Sequence, residues 1–269
     1  MKTVCFIIAM DQEAMPFVEA EKLVENAAVQ LPMTPARVFS GEVQGAQVHV
    51  VINGQDGVHG VPAVGTVPAA LTTYAAVQAL RPDLLVNAGT AGGFKARGAA
   101  IGDIYLSSAV RNHDRRIPLP GFDKYGDYHI KARDAVDVEA LAKRLGFKTG
   151  VVTTGNSLDA TTACMERMMG AEASVKEMEA AAFAYVAEAA DVPWFCLKSV
   201  TDIVDGDKPT EEEFLENLGA AAKSLQEALP RVLYYEDGVP YRLAAARSAS
   251  SACRRHGTTC TRARSTHGC

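Results

Sequence analysis

Glu13, Glu179 and Asp202 are three carboxylates placed where hydrophobic segments run out. Glu13 follows the apolar run Val4-Cys5-Phe6-Ile7-Ile8-Ala9-Met10, and Asp202 follows the run from Trp194 to Thr201. Glu179 stands where residues 173–178 stop reading as a strand and the alanine-rich residues 180–187 start reading as a helix. Acids gathered at the strand ends of an open α/β sheet can share one crevice. A carboxyl between a buried strand and a helix start feels desolvation and a partial positive charge, so its proton affinity can be tuned for acid or base work. Each acid alone also has a structural reading, Glu179 as a helix-dipole partner and Asp202 as the start of the turn 202–207. The three together favour a reaction site.

Other segments carry weaker signals. Asn87-Ala88-Gly89-Thr90-Ala91-Gly92-Gly93-Phe94 reads as a glycine turn after a strand, open to close approach by a ligand, with Thr90 as its one hydroxyl. It is neither GxGxxG nor a Walker loop, and a purely structural turn remains open. His113-Asp114 could be a base beside its orienting acid, but adjacent loop residues rarely reach that geometry. Residues 117–126 form a turn-rich loop with two aromatics, Phe122 and Tyr125, which suggests a lid, a subunit contact or an ordinary surface loop.

The elements that must position these residues follow from hydrophobic patterning. Runs apolar on both faces recur at residues 4–10, 84–86, 104–106, 150–152 and 194–200, as in strands of a sheet covered on both sides. Helices are expected from Pro68 to about Leu80 and across Val138, Leu141 and Leu145 up to Gly146. A third is expected after a capping box of Thr210 and Glu213, with Leu215, Leu218, Ala222, Leu225 and Leu229 on its apolar face. Alternating residues from Arg37 to Asn53, broken by Gly41 and Gly45, predict antiparallel strands, so the sheet is mixed and free to curl. The expected fold is a single three-layer α/β/α domain over residues 1–236.

With 269 residues, of which 48% are hydrophobic and 22% charged, the chain can bury one substantial core. Residues 237–269 differ: rich in Arg, Ser, Ala, Thr and Cys, they read as a disordered tail. The six arginines after Val239 mask an acidic body; without them 21 basic face 32 acidic residues, a net charge of −11 rather than −5. Such a body does not fit nucleic-acid binding. No apolar run reaches the roughly 20 residues of a spanning helix, and Met1-Lys2-Thr3 leads straight into a strand, so no membrane partner and a cytoplasmic location are expected. Cys5, Cys164 and Cys196 are scattered and no CxxC occurs, which predicts reduced thiols and no metal site.

Taken in order, Ile8-Ala9-Met10-Asp11-Gln12-Glu13, residues 87–93, Thr154-Gly155-Asn156-Ser157-Leu158-Asp159, Met178-Glu179-Ala180-Ala181-Ala182 and Ser199-Val200-Thr201-Asp202 resemble the 5′-methylthioadenosine/S-adenosylhomocysteine nucleosidases of the purine nucleoside phosphorylase superfamily. Residues 113–118 and 204–210 are similar to the plant-type members. The resemblance implies the purine nucleoside phosphorylase-like fold and hydrolysis of the bond between adenine and 5-thioribose, without cofactor or metal. It implies that Asp202 protonates adenine N7, that Glu179 holds the ribose hydroxyls with Met178 on the sugar face, and that Glu13 activates water. Thr90 and Gly92 would line the nucleoside pocket, Leu158 would pack on adenine, and Asp159 would present backbone groups to the purine edge. Lys176 and Glu177 lie in the same binding segment. A homodimer is implied, the partner lending part of the loop around Phe122 and Tyr125. The plant-like motifs lean toward methylthioadenosine alone.

Two alternatives are distinguishable. A phosphorylase needs cations for phosphate, yet Met10-Asp11-Gln12-Glu13 and Asn87 occupy the places where related phosphorylases carry arginines. A storage or ligand-binding protein on the same scaffold would bind the nucleoside and leave it intact. Asn156, where relatives usually have Asp, and the Cys-rich tail depart from the family pattern.

Overall fold

The computed structural model describes residues 2–131 and 136–233. The expected tail and its boundary at 236 lie outside the described residues. In chain order, β1 (Thr3–Ile8) leads into α1 (Asp11–Ala20); β2 (Val24–Glu25), β3 (Arg37–Val43) and β4 (Ala46–Ile52) follow, then α2 (Thr66–Leu80), β5 (Leu84–Gly93), β6 (Ile104–Asn112) and α3 (Phe122–Asp127). The chain continues through β7 (Ile130–Lys131), α4 (Val138–Leu145), β8 (Lys148–Thr154), α5 (Thr162–Gly170), β9 (Ala173–Glu177), α6 (Ala180–Ala189), β10 (Trp194–Ile203) and α7 (Thr210–Ala228).

Alternation along the apolar strands divides them between two cores. Val4, Phe6 and Ile8 of β1 join Phe17, Leu141 and Leu225 on one side, while Cys5 and Ile7 join Ala76, Phe183 and Ala184 on the other. The three layers and the mixed sheet are as expected. Phe183 and Trp194 meet edge to face at 6.1 Å, as do Phe6 and Phe17 at 5.6 Å.

The sheet does more than curl: β5 pairs with β10, and the path from β10 through β6, β8 and β9 returns to β5, closing a ring. β5 is parallel to β1 from Leu84 to Ala88 and antiparallel to β9 only at Gly92 and Gly93. Its other edge is paired with β10 along almost its whole length. Between Ala88 and Gly92, one edge of β5 therefore has no neighbouring strand, and the chemistry gathers at this gap.

Three expectations are corrected. Residues 87–93 are strand rather than turn, because β10 pairs with them throughout, and only one 3-10 turn, Lys95–Arg97, follows before β6. The capping box at Thr210 does not form: Pro209 is the N-cap, so Thr210 is already helical, and the Glu213 carboxylate instead accepts a 2.6 Å hydrogen bond from the Ile203 N–H. Leu215 is 71% exposed, whereas Leu225 and Leu229 are fully buried. Leu225→Ala should cost about 2–5 kcal/mol in urea unfolding. Leu215→Ala should stay within about 0.5 kcal/mol.

Candidate active site

Glu13 sits in the first turn of α1, its entry set by the extended N-cap Met10, and is buried. Its carboxylate reaches the unpaired edge of β5: Oε1 accepts from Thr90 N and from Thr90 Oγ1, both at 2.7 Å, and Oε2 accepts from Met10 N at 3.2 Å. A strand neighbour at Thr90 would have taken that backbone donor. Gly89 leaves room for the approach, since a Cβ there would lie 3.1 Å from Glu13 Oε1. Burial pushes the Glu13 carboxyl up, against the lowering effect of the Thr90 hydroxyl and amide.

Asp202 lies within β10, not beyond it. A β-bulge between Val200 and Asp202 shifts the register against β5 and turns the carboxyl toward Gly92. A Cβ on Gly92 would fall 2.5 Å from Asp202 Oδ2, so only glycine fits there. Asp202 Oδ1 accepts from Thr201 Oγ1 at 2.7 Å. Burial raises this carboxyl above its usual range, opposed by the Thr201 hydroxyl and the Lys176 charge.

Glu179 is the N-cap residue of α6, yet its side chain does not cap that helix. The first N–H groups of α6 are taken by Glu177, which accepts from Glu179 N and Ala180 N, and by Thr154 Oγ1, which accepts from Ala181 N. The Glu179 carboxylate is thus free to meet Gly65 N at 2.7 Å. Burial, then the neighbouring Glu177 charge, raises it to about 7.

These elements enclose a cavity of about 260 Å³. It is lined by Glu13, Glu179 and Asp202 together with Thr90, Gly92, Leu158, Lys176, Glu177 and Met178. The sequence-predicted residues are thus brought together, except that Asp159 is exposed and does not line the cavity. The charges of Lys176 and Glu177 are met by protein partners. Lys176 Nζ donates to the carbonyls of Ser157 and Leu158 at 2.8 and 2.6 Å, and Glu177 meets Lys198. Among the described residues, no arginine lines the cavity.

His113 and Asp114 are not a dyad: His113 Nδ1 meets Thr153 Oγ1 at 3.1 Å and Asp114 accepts from Asn156 N. Asn156 Oδ1 in turn accepts from Thr66 N and Oγ1, both at 2.9 Å, an acceptor role that aspartate could also fill. Phe122 and Tyr125 are exposed on and beside a second hollow outside the cavity. Among the described residues, no three His, Cys, Asp or Glu are grouped to hold a metal ion.

Sequence reasoning missed Lys198, Val64, Thr210 and Phe214. Lys198 had a signal, being the sole charge within the run from Trp194 to Val200. Val64 sits in the loop before α2, and Thr210 and Phe214 on the first turn of α7 come into the cavity only through the closed sheet.

An α/β/α sandwich whose ringed sheet opens at one end onto a cavity of carboxylates and apolar walls defines the class. The chain belongs to the Phosphorylase superfamily, whose family model matches residues 3–233. It is 45% identical over 239 residues to a 5′-methylthioadenosine/S-adenosylhomocysteine nucleosidase of Arabidopsis thaliana, covering 88% of this chain and 93% of that protein. A 5′-methylthioadenosine nucleosidase of the same plant is 44% identical, covering 88% of each chain. The solved apo structure of an Arabidopsis thaliana 5′-methylthioadenosine nucleosidase matches with a TM-score of 0.83 at 44% identity, covering 87% of this chain and 95% of that one.

A carboxyl whose proton affinity rises on folding costs stability as pH climbs past its ordinary value of 4.5, and for Glu179 that cost is complete above about 7. Glu179→Gln should therefore raise Tm at about pH 8 in calorimetry, with the gain gone near pH 4. An equal gain at both pH values would refute the assignment.

Proposed function

We propose that this chain hydrolyses the N-glycosidic bond of 5′-methylthioadenosine, releasing adenine and 5-methylthioribose. The observation that carries the reading is the set of three buried acids around one cavity whose lining, among the described residues, includes no arginine. A dianionic phosphate requires cations beside the sugar, and Lys176, the one lysine that the described residues bring to the lining, is directed at the Ser157 and Leu158 carbonyls. A neutral water needs only a base.

In this reading Asp202 is the general acid at the purine. Its raised proton affinity keeps it protonated to higher pH than an ordinary aspartate, so it can deliver a proton to N7 as electrons flow into the base. Bond breaking leaves positive charge on the ribose, which the ionised Glu179 stabilises while accepting from the sugar hydroxyls. Met178 covers the sugar face and Leu158 packs on the base. Glu13, ionised and fixed by Thr90, takes the proton of the attacking water; its raised affinity makes it a stronger acceptor. The two Arabidopsis relatives differ in their names, one bearing both thioethers and one methylthioadenosine alone, so both belong in the assay.

Adenine release without phosphate is the expected result; an absolute phosphate requirement, or binding of methylthioadenosine with no release, would overturn the reading. Asp202→Asn and Glu13→Gln should each lower release by about 10²–10⁴-fold. The rate should fall at low pH as Glu179 and Glu13 gain protons and at high pH as Asp202 loses one.

The homodimer reading is supported by an apolar face on α2 and α6. Val67, Leu71 and Tyr74 recur at helical spacing with Tyr185 beside them, all exposed, and Val67, Leu71 and Tyr185 border the hollow that also holds Tyr125. A continuous apolar patch of this kind suits a subunit contact. Sedimentation velocity should give twice the chain mass, and Tyr185→Asp should shift it toward monomer.

A further inference from the structure

Buried behind the cavity wall is a charge pair that the reaction does not use. Lys198 and Glu177 form an ion pair at 2.9 Å with each side chain 1% exposed. Lys198 rises from the middle of β10, beside Gly89 of β5, and Glu177 closes β9. Resting on the hydrolase reading, we propose that Glu177 and Lys198 are a positioning pair for Glu179: Glu177 holds its backbone and so its direction, and Lys198 offsets the Glu177 charge so that Glu179 can meet the sugar ionised.

The geometry gives the direction. Glu177 accepts from Glu179 N at 2.9 Å, from Ala180 N, from Thr154 Oγ1 and from Lys198 Nζ. A carboxylate with four donors, one of them a cation, holds its charge: burial pushes Glu177 up, and Lys198 with Thr154 outweighs burial to keep it below the usual range. Glu177 thereby holds the backbone of Glu179 and caps α6, and the Glu179 side chain is left to point at Gly65 N and the cavity.

The charge follows from counting. Glu13, Glu177 and Glu179 are all buried near one ammonium. Glu179 has one protein donor, Gly65 N, against four for Glu177 and three for Glu13, so it is the carboxyl most ready to take up a proton. Its surroundings are Glu13 from α1, Glu177 from β9, Lys198 from β10 and the Gly65 amide at the start of α2. Cys196 faces Lys198, while His113 and Lys176 lie toward Glu177. Glu177 makes ionisation of Glu179 harder and Lys198 makes it easier, so the two oppose each other and the loss of either alone tips the balance. Glu177 also has a structural role, since an apolar replacement would orphan the Glu179 and Ala180 amides; the titration of Glu179 is the readout that this structural role alone would not move in opposite directions.

The test is the titration of Glu179 in the full chain, followed by its side-chain carboxyl ¹³C resonance, assigned by its loss in Glu179→Gln. Glu177→Gln should move the midpoint down and Lys198→Met should move it up, each by about one pH unit. Lys198→Arg and the double variant Glu177→Gln/Lys198→Met should stay near wild type. The low-pH limb of adenine release should move up with Lys198→Met. Midpoints that stay put, or shift in the same direction in both single variants, would overturn the proposal. If Lys198→Met fails to fold, the opposed behaviour of Glu177→Gln and the double variant decides. Wild-type adenine release is scored separately, so an inactive wild type counts against the hydrolase reading, and an active wild type with unmoved titrations counts against the pair.

Discussion

The change of partner along β5 is the constraint on which the site depends. The strand is parallel to β1 as far as Ala88 and is taken up by β9 only at Gly92, while β10 holds its other edge throughout. The unpaired stretch leaves backbone donors that must be satisfied in a water-poor interior. Glu13 answers that need at Thr90, and in doing so brings α1 and its carboxylate to the strand. The same gap lets α7 contribute Thr210 and Phe214 and lets β9 bring Met178 and Glu179 to the opposite wall. Ring closure through β10, β6, β8 and β9 holds these walls at fixed separation, so the cavity is a product of sheet topology more than of loop conformation.

Burial of charge is the second organising force. Water would weaken every electrostatic contact in the cavity, and its exclusion raises the proton affinity of Glu13, Glu179 and Asp202 by the same cause. What separates the three is the local supply of donors: two from Thr90 and one from Met10 for Glu13, one hydroxyl and a nearby ammonium for Asp202, one amide for Glu179. One physical environment thus yields acids with different tasks.

Much of this was legible in the sequence where a single residue pattern decides a single element. The helices α2 and α4 and the hairpin of β3 and β4 follow from proline, glycine and alternation, and the unbroken apolar runs announced strands covered on both faces. The three acids were legible because each interrupts or ends such a run. Patterning could not supply the path of β5 beyond Val86: Asn87 to Gly93 has the composition of a turn, and only long-range pairing with β10 makes it a strand. Nor could it find the task of Glu177, placed with the binding segment but tied in the fold to Lys198 and the start of α6, while Glu179 is open to the cavity. The cap at Pro209 and the second role of Glu213 were hidden for a similar reason, since a carboxylate chooses between a local and a distant amide only in three dimensions.

Gly92 illustrates how space at such a site ties residues into one evolutionary unit. Its missing side chain leaves the volume that Asp202 Oδ2 and Val204 Cγ2 occupy, at 2.5 and 2.6 Å from where a Cβ would stand. A larger residue at 92 must displace the acid or Val204, so the reach of Asp202 depends on the glycine opposite it. Innovation in what this scaffold accepts is thereby channelled toward the apolar walls at Val64, Leu158 and Phe214, where volume can be traded one residue at a time.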